Sequence, residues 1–234
     1  MTNTLSTTSS TSTRWAFLRH AELVVVIFLG IVSVATAYTS FQSSLYGGIS
    51  DDKISQSEAA GTEAESLYLE GNQQYVQDAQ TILRLSELNI EKQSADPVIA
   101  ADAAAKYDEI YFIGVSPELD EAIQSAAALD ESEADVYHYP LDEDSYQKAQ
   151  FGAYGDKSLE SEDLRKKGEA LGDNGDQLGF YTALMAITLF LLGVAAVVRR
   201  ARMQWILIAV GMSIFTVTAV LTALIPFVWI GSQG

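Results

Sequence analysis

Two apolar runs, residues 178–198 and 203–230, stand four residues apart, and three of those four are arginines: Arg199, Arg200 and Arg202. A run of about 20 apolar residues is what an α-helix needs to cross roughly 30 Å of hydrocarbon. A helix is also one of the few forms whose backbone polar groups satisfy one another there. The pair therefore predicts a transmembrane hairpin, a second and a third span joined by a turn at 199–202. The positive charge of that turn is expected to hold it on the cytoplasmic side.

A further apolar run, 23–37, comes after Arg14, Arg19, His20 and Glu22. Two readings stand. A basic leader, a short apolar stretch and Ala35-Thr36-Ala37 resemble a cleavable secretory signal. Alternatively, the run continues through Tyr38, Phe41 and Tyr46 as a retained first transmembrane helix over 21–46, with aromatic residues at the interface. The retained span is favoured because those aromatics carry it to full bilayer length. Both readings place 47–177 outside the cytoplasm, and a short tail, 231–234, returns to that side. The leading segment, 1–20, opens with 10 Ser and Thr among its first 13 residues. It is expected to be a disordered cytoplasmic tail.

Charge separates the chain into the same parts. Thirty of the 31 acidic residues lie between Asp51 and Asp176 with 9 basic ones, a net charge of −21. The remainder carries five Arg and Glu22, a net +4, and the two values give the −17 of the whole chain. Such acidity argues against nucleic acid, whose phosphates call for clustered Lys and Arg. It fits a halophilic protein, whose carboxylates keep it hydrated at high salt. There is no Cys, so disulfides, thiolate catalysis and thiolate metal sites are absent.

Within 47–177, Gly47-Gly48 is expected to hinge the first span to the outer segment. Residues 50–94 lack Pro, and small or apolar residues recur three or four apart, as on one face of a long amphipathic helix of coiled-coil character. At 1.5 Å per residue such a helix spans about 65 Å, or it breaks near Gly71. Asp96-Pro97 and Ser116-Pro117 each start a helix, with the polar residue as N-cap and Pro at the first helical position. Tyr107, Ile110, Tyr111, Phe112 and Ile113 form the densest apolar cluster here and are the expected core. Residues 130–144 read as an acidic loop, and Asp173-Asn174-Gly175-Asp176 as a turn. Residues 157–167 read as helix, which Gly168, Gly172, Gly175 and Gly179 weaken.

Candidate chemistry is sparse. His138, flanked by two Tyr, has no second His or Cys beside it and reads as a packed loop residue, not a metal ligand or pH switch. The acidic runs 130–135 and 142–144 lack the spacing of a calcium loop. The three spans hold no ionisable residue between their lips, unlike pumps and voltage sensors. Gly211, Ser213, Thr216, Thr218, Ala219, Thr222 and Ala223 suit close helix packing. No nucleophile elbow, phosphate loop, zinc-protease motif or dinucleotide fingerprint is present. No catalytic, cofactor or metal site is expected. The singled-out residues are topological: Arg14, Arg19, Arg199, Arg200 and Arg202 as anchors, and Glu22 as a counter-charge that clamps the first span to the hairpin.

The stretch 35–42 (ATAYTSFQ), the region 71–78 around Gly71 and Tyr75, and the approach 174–181 (NGDQLGFY) resemble an uncharacterised family of prokaryotic three-span membrane proteins, a domain of unknown function. The acidic bias resembles a haloarchaeal member. The resemblance implies an architecture and no activity. The expected fold is an all-α membrane protein, three transmembrane helices carrying an extended, acidic, helical extracytoplasmic domain. The expected role is non-enzymatic. It is that of a cell-membrane protein in the lipid bilayer that forms a homo-oligomer or scaffolds another membrane protein, with no cofactor. The alternative is a subunit of an oligomeric channel or transport complex.

Overall fold

The computed structural model describes residues 11–132 and 136–229, with side chains from residue 23 onward. Its elements are α1 (Thr11–Glu91), α2 (Pro97–Gly114), α3 (Pro117–Ser132), a 3₁₀ turn (Pro140–Asp142), α4 (Asp144–Val197) and α5 (Ala201–Leu224). No strand occurs among the described residues. The chain is all-α, and α1, α4 and α5 are each long and apolar enough to cross a membrane. That is the build of a multi-pass membrane protein. Two units share these helices: Met1–Ile54 with Arg165–Gly234, and Ser55–Leu164.

The first unit packs the early part of α1 against the later part of α4 and against α5. Its apolar core is Val25, Val32, Met185, Leu192, Ala195 and Ile208. Val25, Val32, Thr39 and Tyr46 are buried at intervals of seven, the recurrence that keeps one helix face toward its neighbours. The glycines that weaken α4 in sequence are its contact face. A Cβ on Gly168 would lie 2.8 Å from the Ile54 side chain, and one on Gly172 would lie 3.0 Å from the Ser50 hydroxyl. Ser50 donates to the Gly168 carbonyl at 2.7 Å and Ser43 to the Gly175 carbonyl at 2.8 Å. The helical cost of each glycine, about 1 kcal/mol against Ala, is set against close helix approaches that a side chain at Gly168 or Gly172 would crowd.

Several expectations are corrected here. Gly47 and Gly48 are helical within α1, with no positive-φ residue, so they form no hinge. Residues 173–176 are interior to α4, not a turn. The helix α1 begins at Thr11, inside the segment 1–20, and runs without a break into the apolar span. The α4–α5 link is residues 198–200, with Ala201 and Arg202 already helical.

The third apolar helix, α5, stops at Leu224 although the apolar run reaches 230, because Pro226 pushes Ile225 into extended geometry (φ −80°, ψ 131°). The freed backbone is clasped by α1. Gln42 donates to the Val228 carbonyl at 3.3 Å and accepts from the Val228 amide at 3.2 Å. Tyr46 donates to the Pro226 carbonyl at 2.7 Å, and Tyr38 stacks on Phe227 with ring centroids 6.3 Å apart. Residues 38, 42 and 46 share one face of α1 by their spacing of four.

The second unit contains α2, α3, the 3₁₀ turn and the adjoining parts of α1 and α4. Asp96 caps α2 by accepting from the Val98 amide, and the Ser116 hydroxyl accepts from the Leu119 amide at the start of α3, as both Pro-led signals predict. Its core is Ile82, Leu119, Ala122, Leu141 and Tyr146, bordered by Tyr75, Ala79, Val115, Ile123 and Tyr139. That displaces the expected core: Phe112 is 88% exposed and Ile113 73% exposed, and α2 buries only Ala103. The expected acidic loop is shorter than read, since α3 runs to Ser132 and the 3₁₀ turn buries Pro140 and Leu141. Nor does α1 break at Gly71, where the Gln150 carbonyl occupies the space of a Cβ. Ser57 and Ser161 exchange hydroxyl-to-carbonyl bonds at 2.7 and 2.8 Å further along the same pair of helices.

Candidate functional site

In the second unit the buried positions of α1 again recur every seven residues: Ser57, Ala64, Gly71, Asp78 and Leu85. Four of these are small or apolar. Asp78 is a carboxylate, 1% exposed, in the line that faces the interior. Desolvating such a group is costly unless donors replace its water. Tyr146 of α4 donates to Asp78 Oδ2 at 2.7 Å, and Gln74, one turn back on α1, donates its amide to Oδ1 at 2.9 Å. Burial first, and the bond to Asp78 second, push the Tyr146 hydroxyl far above its ordinary pKa of 10. It stays a neutral donor.

Gln74 also lines an open groove of about 510 Å³. One wall is α1 with Leu67, Glu70, Gly71, Gln73 and Gln77; the others are Ser116 and Glu118 at the start of α3, and Ala149, Gln150 and Ala153 of α4. The lining has four amides, two carboxylates and a hydroxyl, and no Lys, Arg or His. Among the described residues, the side chains of Glu70, Gln73, Gln77 and Glu118 have neither hydrogen bond nor ion pair. Gly71 brings the helices together at the floor, because the Gln150 carbonyl sits where a side chain would begin.

Elsewhere in this unit several polar groups are paired with one another. Asp130 accepts from the His138 amide at 2.8 Å and lies 2.9 Å from His138 Nδ1. Those bonds, the backbone one first, lower the carboxyl's pKa, which makes His138 the clip of a loop, as its isolation in the sequence predicts. Ser125 ties Glu143 at 3.0 Å. Tyr111 donates to Asp120; its own burial and then that bond raise the phenol to about 12. No grouping of three or more potential metal ligands occurs among the described residues.

Arg199, Arg200 and Arg202 come together, exposed, at the α4–α5 link. The side chains of Arg14, Arg19 and Glu22 lie outside the described residues, so the clamp expected between Glu22 and the hairpin falls there too. Gly211, Thr218 and Thr222 pack inside the first unit's bundle, whereas Ser213 and Thr216 are exposed. Sequence reasoning overlooked Asp78, Gln74 and Tyr146. A signal was present, since Asp78 stands seven residues from Gly71 and from Leu85 on the face that otherwise carries small and apolar residues.

Comparison of the chain with protein-family models, with curated proteins and with solved structures found no match.

Proposed function

We propose that the chain is a non-enzymatic integral protein of the cell membrane that binds a partner through its helical domain. In this reading the N-terminal tail and the arginines at 199, 200 and 202 face the cytoplasm, and residues 47–177 face outward. One observation carries it. The helix that sequence density marks as core is instead presented to solvent, with Val98 76%, Phe112 88% and Ile113 73% exposed. Exposed large apolar side chains on a helix that buries a single alanine are the raw material of an interface.

Charge selects the kind of partner. The segment Ser55–Leu164 holds 25 acidic and 5 basic residues, a net charge of −20. Two copies of such a surface repel, so a different protein with an apolar centre and a basic rim fits better than a second copy. The same acidity suits operation at high salt, and the recurrence of buried positions every seven residues supports a coiled-coil reading of α1.

A photo-reactive amino acid placed at Phe112 in native membranes tests the proposal. The expected result is one discrete cross-linked species of a second protein, lost when Ile113 is also changed to Ser. Adducts only to lipid, or none above a control placed at the exposed Glu109, would refute it. Adducts only to itself, joined to conductance in reconstituted bilayers, would favour the channel-subunit alternative.

A further inference from the structure

We infer that the groove between α1, the start of α3 and α4 is a binding site for a guanidinium or primary ammonium group. The inference deepens the partner-binding reading by naming the chemistry of the group presented, and rests on that reading only for its source. The lining supplies acceptors without counter-charges: Glu70, Glu118, the Gln side-chain carbonyls and the Ser116 hydroxyl. No cation lines the groove, although Lys148 is one residue from Ala149 in sequence.

The amide of Gln74 sharpens this preference. A carboxylate oxygen without its proton only accepts, so one N–H of the Gln74 amide is held by Asp78 Oδ1, and Asp78 is itself held by Tyr146. That bond orients the side chain and leaves its carbonyl, with the second N–H, for a ligand. The buried Asp78–Tyr146 pair thus acts as a positioning device that fixes the Gln74 amide on one wall of the groove. Glu70 and Glu118 come from different helices, so a cationic head placed between them gains charge-assisted bonds from two sides. A guanidinium, with five donors and no acceptor, matches such a lining best, and an ammonium matches it as a point charge. An anion would meet two carboxylates and no cationic side chain along the lining.

The test is calorimetric titration of the full chain, extracted in mild detergent at about 0.15 M ionic strength, where exposed charges more than about 8 Å apart are screened. One arm uses spermidine, for a free polyamine, and the other a short Arg-containing peptide, for a partner's side chain. The expected result is saturable binding of one equivalent in at least one arm. Glu118→Gln and Glu70→Gln should each weaken it about tenfold, as expected for loss of one charge-assisted hydrogen bond. Glu109→Gln on α2 removes the same charge away from the groove and should change it less than about twofold, a screened long-range effect. Equal weakening by all three variants, or a titration that never saturates, would overturn the inference and leave diffuse attraction to an acidic surface. Tyr146→Phe should weaken binding while unfolding titrations show the unit still folded, since it frees Gln74 to turn. Groove binding without a cross-link at Phe112 would separate failure of the partner-binding reading from failure of this one.

Discussion

Gly71 and Gly155 are both helical glycines in the second unit, and replacing each by Ala should move stability in opposite directions. A helical Gly costs about 1 kcal/mol against Ala, so the substitution gains that much wherever a methyl group has room. Nothing lies within 4 Å of a Cβ on Gly155. Gly155→Ala should therefore stabilise the unit by about 1 kcal/mol. A Cβ on Gly71 meets the Gln150 backbone carbonyl and the Phe151 ring, the latter at 3.2 Å. A backbone atom has no rotamer to escape into, so α1 and α4 must part locally. Overpacking of this kind costs about 1–3 kcal/mol, and a backbone clash belongs at the upper end. After the propensity gain, Gly71→Ala should lose roughly 2 kcal/mol, which places the two variants about 3 kcal/mol apart. Guanidinium titrations of the full chain in detergent, followed by far-UV circular dichroism, measure both as shifts in midpoint at constant slope. If both variants proved equally stabilising, the close approach of α1 and α4 at Gly71 would be wrong, and with it the floor of the groove.

Other outcomes come from the polar contacts. Tyr146→Phe leaves Asp78 Oδ2 without its donor in a buried site and should cost about 1–3 kcal/mol, read from the same denaturant titration. Folding raises the pKa of Tyr146 and Tyr111 above the unfolded value of 10, so their contribution is complete below pH 10 and lost as pH rises beyond it. Unfolding midpoints measured from about pH 8 to 12 should fall only on the alkaline side, and Tyr111→Phe should reduce the fall between pH 10 and about 12. Gln42→Leu removes both bonds to the Val228 backbone, at about 1–3 kcal/mol for each group left unsatisfied. Because the chain has no Cys, a Val228→Cys probe reports the loosening as faster thiol labelling; unchanged labelling would refute the clasp.

Local rules decide the part of the fold that is legible in the sequence. Apolar runs of bilayer length mark the three long helices, and Asp96-Pro97 and Ser116-Pro117 mark the starts of α2 and α3, because capping and proline geometry act within a few residues. The helical course through Gly168, Gly172 and Gly175 is not legible. Its cost is local, while the gain comes from Ser43, Ser50 and Ile54, more than a hundred residues away. The core of the second unit escapes for a related reason. Phe112 and Ile113 are dense in sequence, but burial goes to Leu119, Leu141 and Tyr146, scattered over three elements. Asp78 is easily passed over because a charged residue does not count toward an apolar face, although its position in the seven-residue line is visible. The groove needs α1, α3 and α4 together, and no single stretch contains it.

The clasp of Gln42 and Tyr46 on residues 226–228 carries a consequence for biogenesis. The Gln42–Val228 contact joins positions 186 residues apart. At about 5–20 residues per second, a ribosome needs roughly 10–40 s after making Gln42 before Val228 exists. Throughout that interval the nascent α1 carries a carboxamide and a phenol whose backbone partners are still unmade. Closure is thus one of the late events of assembly and cannot precede synthesis of α5. Until then that polar face of α1 stays open, and it is satisfied only when residues 226–228 reach it.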